Sequence, residues 1–197
     1  MTIPQKPADT TAQLIDLIRN RWSPRIFDTE YSLSDEQLVS LGEAARWAPS
    51  SSNQQPWHVV FLTRGSALFE SISTNGLTGF NQAWAPAASA YAVMLARKTE
   101  KDKNRDQAGT YFDLGLASMQ LVIQAESMGL KSHFMGGIVA PEIEKSLNIT
   151  DHWVVCVIAI GKQTSIDSSS DELKARETAE RTRLSADSVY SINQALN

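Results

Sequence analysis

Cysteine is almost absent from this 197-residue chain, in which Cys156 is the only one. A single thiol excludes an intrachain disulfide and a multi-cysteine metal site, and it is typical of proteins from a reducing compartment. The N-terminus lacks the basic start and apolar core of a signal peptide. The longest uncharged apolar-rich run, residues 114–125, is too short to span a bilayer. We therefore expect a soluble, cytoplasmic protein without a membrane segment.

The familiar catalytic signatures are also missing. No G-x-G-x-x-G follows a predicted strand, and neither G-x-x-x-x-G-K-[ST] nor G-x-S-x-G occurs. The three histidines, His58, His133 and His152, lie far apart and lack the spacing of metal ligands, so we expect structural or surface roles and no metal site. A formal net charge of −4 argues against nucleic acid or an anionic membrane as the main partner.

The apolar pattern predicts a single domain over residues 1–197, with a loose arm at 1–9 and a polar extension at 163–197 that contains one short helix near 171–179. Ser34 and Gln37 have the spacing of a capping box and predict the start of a helix. Strands are predicted at 57–63, 89–97 and 153–161, with a shorter one in "SHFMGGI". Because helices alternate with these strands, the expected fold class is an α+β sandwich built on a small sheet.

The strongest helical signal covers residues 105–127 and is apolar on two faces. Leu114 and Leu121 mark one face, whereas Phe112, Met119 and Ile123 mark the other. A helix that is apolar nearly all round is normally buried all round, so we predict a long buried central helix. The charged run "KTEKDKNRD" before it predicts a solvated loop.

Arginines cluster near both ends of the chain. In "RNRWSPRIF", Arg21 and Arg25 flank Ser23, and arginines in an irregular turn can form a fork that binds a phosphate. In "ERTRL", Arg181 and Arg183 lie two residues apart. Taken alone, each segment is explained better by surface ion pairs and solvent exposure.

Two further segments combine polar or small residues with a constrained backbone. "APSSSNQQPW" offers Ser50, Ser51 and Asn53 between two prolines that fix the path of the chain. A turn after a helix accounts for this segment as well as ligand binding does. In "GLKSHFMGGI", Gly136 and Gly137 permit close approach to the backbone, and a plain tight turn is an equal alternative.

Taken together and in order, these segments resemble the nitroreductase family of flavin enzymes. The resemblance includes R-x-S-x-R-x-F, then A-P-S-x-x-N-x-Q-P-W, "GLASMQLVIQAESMGLKSHFMGGI", "VVCVIAIGK" and the R-x-R-L tail. It covers roughly residues 10–185, and the second motif is the most specific. It implies an α/β sandwich with a small, mostly antiparallel central sheet flanked by helices, and a homodimer that holds FMN at the subunit interface.

The resemblance assigns the phosphate of FMN to the two arginine clusters. Charge-assisted, forked donors suit a phosphate that carries nearly two negative charges. The residues that match the family's phosphate contacts are Arg21, Trp22 through its backbone, Ser23, Arg181 and Arg183.

The ring system of FMN would lie against other matched positions. Arg25 and Asn81 match contacts of the flavin pyrimidine, and a cation there stabilises the negative charge that reduction adds. Met135, Gly136 and Gly137 would lie along one side of the ring, with a backbone N–H near the flavin N5. No side chain is implied to be catalytic.

The polar segment before the first predicted strand would come from the opposite subunit. By this resemblance, Pro49, Ser50, Ser51 and Asn53 would meet the ribityl chain and the ring edge of FMN. A dense polar cluster then serves to satisfy a polar cofactor at an interface that excludes water.

Three positions depart from the family pattern. Arg25 stands where members often have lysine, Trp84 where some have lysine, and Gly136 lies in a turn where better-known members carry proline and glutamate. The last two differences affect the nicotinamide preference and the shape of the substrate rather than FMN binding.

The implied activity is that of an FMN-dependent oxidoreductase that moves two electrons, as hydride, from NAD(P)H through flavin N5. A nitroaromatic, a quinone or a related electron-poor molecule would accept them in the same slot, with ping-pong kinetics. The alternatives are a non-enzymatic FMN-binding protein that stores or senses the cofactor, and a helical scaffold with no cofactor.

Overall fold

A four-stranded antiparallel sheet forms the centre of the molecule, and the α+β sandwich expected from the sequence is confirmed. The computed structural model describes residues 2–98 and 106–193. The strand order across the sheet is β1-β2-β4-β3. The strands are β1 Trp57–Thr63, β2 Ala90–Arg97, β3 Lys131–Met135 and β4 His152–Gly161.

Seven helices flank this sheet in the described ranges, joined by short 3₁₀ and π-helical turns. The predicted capping box is confirmed: the Ser34 hydroxyl accepts the Gln37 N–H, and the Gln37 side chain accepts the Ser34 N–H. No helix among the described residues is long and apolar enough to cross a bilayer. The helices are α1 Asp16–Asn20, α2 Asp35–Arg46, α3 Ala67–Ser71, α4 Asn81–Trp84, α5 Gln107–Ser127, α6 Ala140–Ser146 and α7 Asp171–Thr178.

Residues 81–84 form α4, a single helical turn in which Trp84 is buried. The predicted solvated loop at 98–106 lies mostly outside the described residues, because positions 99–105 are not among them.

The two faces of the sheet carry separate cores. Tyr91, Val93 and Leu95 of β2 pack into a core with Phe69 and the α6 side of the molecule. The alternating residues of β2, among them Ala92 and Met94, pack into a second core under α2 and α5. Since successive side chains of a strand point to opposite faces, a central strand buried on both faces reads as a continuous apolar run.

The central helix α5 is buried on one face only, so the prediction of burial all round is wrong for a single chain. Leu114, Leu121 and their neighbours are buried against the sheet and α2, whereas Phe112 is 68% exposed and Met119 is 40% exposed. The sheet and α2 cover one side of the helix, and no described element covers the other. A row of apolar side chains that is exposed to solvent in this way is typical of an interaction surface.

The two ends of the chain meet beside the sheet. Residues 2–14 have no regular secondary structure, but backbone hydrogen bonds join Ile166 to Thr2 and Ala8 to Arg19. The Gln163 side chain donates to the Pro4 carbonyl at 3.1 Å. The N-terminal arm therefore packs directly on the C-terminal extension.

Candidate functional site

The turn that follows α1 carries the first arginine cluster. The chain leaves α1 in an extended conformation at Arg21. Pro24 then disfavours helix for Ser23, the residue before it. The Arg21 guanidinium donates to the Ser23 hydroxyl at 3.4 Å. Trp22 is buried, and the ammonium of Lys6 lies 4.6 Å from its ring centroid. The indole N–H of Trp22 has no partner among the described residues.

The structure brings arginines from both ends of the chain into one electrostatic cluster. Burial lowers the pKa of Arg21; the carboxylate of Glu126 opposes this effect, and the charge of Arg183 adds to it. The pKa of Arg181 is also lowered, first by burial and then by the charges of Arg183 and Arg21. Arginine stays protonated in proteins, so these shifts identify cations that are partly desolvated and repel one another.

Arg181 also fastens the chain ends together. Its Nη1 donates to the carbonyl oxygens of Lys6 at 2.9 Å and Arg19 at 3.1 Å. Arg183 is exposed and donates to the neighbouring Thr182 carbonyl. A guanidinium has five N–H groups, so both arginines keep donors for a further acceptor.

Arg25 is held by a carboxylate that sequence reasoning did not single out. The Arg25 backbone N–H donates to Oε1 of Glu177 at 2.9 Å, and the Arg25 guanidinium lies 4.0 Å from the same oxygen. Glu177 is completely buried on α7. Glu177 lies in the polar C-terminal extension, where charged residues are expected to be exposed to solvent, so no feature of the sequence indicated that it is buried.

The turn after β3 packs against the start of α4. The Asn81 amide donates to the Gly137 carbonyl at 3.2 Å, and the Thr78 N–H donates to the same oxygen at 3.0 Å. A Cβ at position 137 would lie 2.9 Å from Asn81 Nδ2 and 3.0 Å from Thr78 Oγ1, whereas one at Gly136 would meet nothing within 4 Å. Met135 points into the core and leaves only its backbone for a ligand.

His133 joins the two halves of the site. It lies on β3, and its Nδ1 is 3.0 Å from the Pro24 carbonyl in the arginine turn. Its ring packs against Trp84 with centroids 4.5 Å apart. Burial, followed by the charge of Arg25, lowers the pKa of His133 to about 4. The imidazole is therefore neutral at physiological pH, and its Nδ1 donates to the Pro24 carbonyl. From the sequence we expected a structural or surface role for His133, but not this contact with the arginine turn.

The polar segment at 49–55 is exposed and conformationally strained in the single chain. Ser52, Asn53 and Gln55 have φ angles of 50°, 54° and 47°, a region that residues other than glycine rarely adopt. The Ser51 N–H donates to the buried carboxylate of Asp113 on α5 at 3.1 Å, which fixes the turn. Such conformations persist where the surroundings impose them, and they cluster at functional sites.

The arrangement has the chemistry of a site for an anionic, flat ligand. One end offers partly desolvated arginines, and the other offers glycine backbone beside an amide and Arg25. Within the described ranges, no group of three or more histidine, cysteine, aspartate or glutamate residues is placed to hold a metal ion. Burial raises the pKa of the Cys156 thiol to about 11, which disfavours the nucleophilic thiolate at neutral pH.

Comparisons with known proteins show what this chain is similar to in sequence and in fold. The model of the Nitroreductase family matches residues 18–162. An oxygen-insensitive NADPH nitroreductase from Helicobacter acinonychis is 29% identical in an alignment of 183 residues, and the match covers 75% of this chain and 86% of that protein. A solved structure described as an oxidoreductase containing FMN is 31% identical, covers 94% of both chains and superposes with a TM-score of 0.82.

A more distant structure shares the fold alone. It is described as an enone reductase of gut-bacterial fatty acid saturation metabolism, and it is 20% identical with a TM-score of 0.67. The match covers 85% of this chain and 97% of that one.

Replacing His133 with glutamine should make the stability of the protein less sensitive to acid. The unfolded chain protonates this histidine near pH 6.5, but the folded protein does so only near pH 4, so acidification through this window favours unfolding. Between pH 7.5 and pH 5, the wild type should lose about 2 kcal/mol more unfolding free energy than His133→Gln. Urea denaturation at the two pH values, without added cofactor, measures this difference. Equal losses in both proteins would contradict the assignment.

Proposed function

The chain belongs to the nitroreductase family, and we propose that it is an FMN-dependent oxidoreductase that passes two electrons from NAD(P)H to a small electron-poor molecule. The observation that carries the proposal is the cluster of Arg21, Arg181 and Arg183, which the two ends of the chain build together. Partly buried cations that repel one another are costly until an anion joins them. A phosphate group satisfies that need.

The phosphate end of FMN fits the donors that are present. Arg21 and Arg183 keep guanidinium N–H groups for a phosphate, and Ser23 adds a hydroxyl beside Arg21. Hydrogen bonds between guanidinium groups and phosphate are charge-assisted and roughly twice as strong as neutral ones. Arg181 contributes charge and holds the N-terminal arm in place through the Lys6 and Arg19 carbonyls.

The ring end of FMN fits the glycine turn after β3. The side chains of Asn81 and Thr78 lie so close to the backbone of Gly137 that a Cβ would not fit there. Gly136, with open space around it, leaves its backbone accessible to a flat ring. The side chain of Arg25 then supplies a cation for the pyrimidine edge.

When bound, FMN supplies the hydride chemistry, and the protein supplies position and electrostatics. Arg25 stabilises the negative charge that reduction adds, while His133 stays neutral and holds the turn in place. The overall reaction with a quinone is NAD(P)H plus quinone plus a proton giving NAD(P)⁺ plus hydroquinone. Donor and acceptor would use the same open slot in turn, which gives ping-pong kinetics with nitroaromatics or quinones.

The exposed stripe of α5 supports a homodimer. Phe112 and Met119 lie on it, and a groove of about 530 Å³ beside it is lined by Pro49, Leu116 and Ile123 among others. We infer that a second copy of this chain covers this surface. Such a partner would carry its own strained 49–55 segment, and its Pro49, Ser50, Ser51 and Asn53 would complete the site. The single cysteine of the chain fits the cytoplasmic localisation that we propose.

Mixing the purified protein with NADH or NADPH tests the activity. We expect a yellow protein whose visible absorption is lost promptly under anaerobic conditions and returns when a nitroaromatic or quinone is added. Free FMN at the same concentration is the control. A protein that stays yellow with both nicotinamides would instead be a cofactor store or sensor. A colourless protein that gains neither colour nor thermal stability with FMN would exclude both functions.

Mixed dimers test whether each site draws on two chains. Arg21→Glu should weaken the binding of the FMN phosphate. Asn53→Gly should remove the side-chain amide, and glycine adopts the backbone φ of 54° at this position without strain. Each variant alone should bind FMN at least about tenfold more weakly. A hybrid of the two should regain one site of wild-type affinity per dimer, because one half of it combines the intact Arg21 with the intact Asn53.

The matched control carries both substitutions in the same chain. A hybrid of this double variant with the wild type has one defect in each site, so it should regain no site of wild-type affinity. Titration of FMN fluorescence counts the sites. The reverse counts, with one wild-type site in the control hybrid and none in the hybrid of the single variants, would show that Arg21 and Asn53 serve a site within one chain and do not meet across an interface.

A further inference from the structure

The carboxylate of Glu177 contacts Arg25, although the two residues are 152 positions apart in the sequence. Glu177 is on α7 in the polar C-terminal extension, and it is 0% exposed. Its Oε1 accepts the Arg25 backbone N–H at 2.9 Å and lies 4.0 Å from the Arg25 guanidinium. A buried carboxylate is costly unless it is paired and hydrogen-bonded, so this contact constrains where Arg25 can lie.

The surroundings of Glu177 are cationic. Burial raises the pKa of Glu177, but the Arg25 N–H and the charges of Arg25 and Lys6 act in the opposite direction. The Lys6 ammonium is held nearby, because it donates to the Arg176 carbonyl at 3.1 Å and lies over the Trp22 ring. Oε2 of Glu177 has no hydrogen-bond partner among the described residues, so its orientation depends on Oε1 and on the charges around it.

The same helix reaches the other side of the ring-binding end. The Arg176 guanidinium lies 4.1 Å from the ring centroid of Phe80, the residue before Asn81. Leu173 packs against the core that contains Trp84. α7 therefore contacts both segments, 21–25 and 80–84, that carry side chains for the pyrimidine edge.

We propose that Glu177 is a positioning residue that fixes Arg25 beside the FMN site and reduces its electrostatic effect, so that it sets the reduction potential of bound FMN. This inference rests on the proposed function. It gives the C-terminal extension a role in the redox properties of the site as well as in holding the phosphate.

The sign of the effect follows from charge. Reduction adds negative charge to FMN, and the cation of Arg25 favours it, which raises the reduction potential. The negative charge of Glu177 offsets part of that cation and lowers the potential. Removing the charge without removing the acceptor oxygen should therefore raise the potential, while the backbone of Arg25 stays anchored.

Glu177→Gln makes this change, and Glu172→Gln is its control. Glu172 is on the same helix and is exposed, where it pairs with Arg176 at 3.1 Å. Equilibration of the FMN-loaded proteins with a reference dye measures the potential. In Glu177→Gln, the ratio of reduced to oxidised FMN at a fixed potential should rise roughly tenfold, which is about 30 mV for a two-electron couple. Glu172→Gln should match the wild type.

Substitutions in an Arg25→Gln variant separate the effect of the Glu177 charge from its effect on packing. In Arg25→Gln, the added substitution Glu177→Gln should raise the potential less than it does in the wild type, because the charge of Arg25 no longer favours the ionised form of the buried Glu177 carboxyl. Glu177→Ala removes the acceptor as well, so it should bind FMN more weakly than Glu177→Gln. A purely structural role for Glu177 predicts weaker binding without the Arg25-dependent change in potential.

The outcomes distinguish this inference from the proposed function. If the wild type binds FMN and its reduction potential equals that of Glu177→Gln, the role of Glu177 is overturned and the proposed function stands. A wild type that binds no FMN overturns both. Should Glu177→Gln fail to fold, Glu177→Asp moves the charge away from Arg25 by one methylene and should raise the potential by a smaller factor. An unchanged potential in that variant overturns the inference too.

Discussion

Mutual repulsion among partly desolvated guanidinium groups is the constraint on which the rest of this structure depends. Arg21 comes from the N-terminal turn, and Arg181 and Arg183 come from the C-terminal extension, so neither end of the chain builds the cluster alone. Cations brought together away from water are destabilising unless an anion compensates them. In the function that we propose, the packing of the N-terminal arm on the extension is thus tied to the binding of a phosphate.

Rigid contacts from the sheet and its flanking helices position the turn that carries Arg21 and Arg25. Neutral His133 on β3 donates to the Pro24 carbonyl, and Glu177 on α7 accepts the Arg25 N–H. These two contacts come from different elements, β3 and α7, and both hold the same five-residue turn. In the proposed function, the chain needs no catalytic side chain of its own, because it holds a cation and a glycine backbone where a flat cofactor can use them.

Local signals were sufficient for much of the fold, and long-range contacts were not. The capping box at Ser34 and the apolar strands were predicted correctly because neighbouring residues determine them. The apolar pattern of α5 was identified correctly, but periodicity does not say whether the second face is covered within the chain, and Phe112 proved exposed. The site roles of His133 and Glu177 were not predicted, because their partners lie 109 and 152 residues away in the sequence.

The affinity for riboflavin relative to FMN tests the central claim most directly, since the two ligands differ only in the phosphate. If arginines from both chain ends hold that group, calorimetric titration of the cofactor-free protein should show FMN binding at least about 100-fold more tightly than riboflavin, as expected from the loss of two or more charge-assisted hydrogen bonds. The preference should shrink as salt concentration rises, because the exposed part of the cluster is screened. Equal affinities for the two flavins would contradict the account.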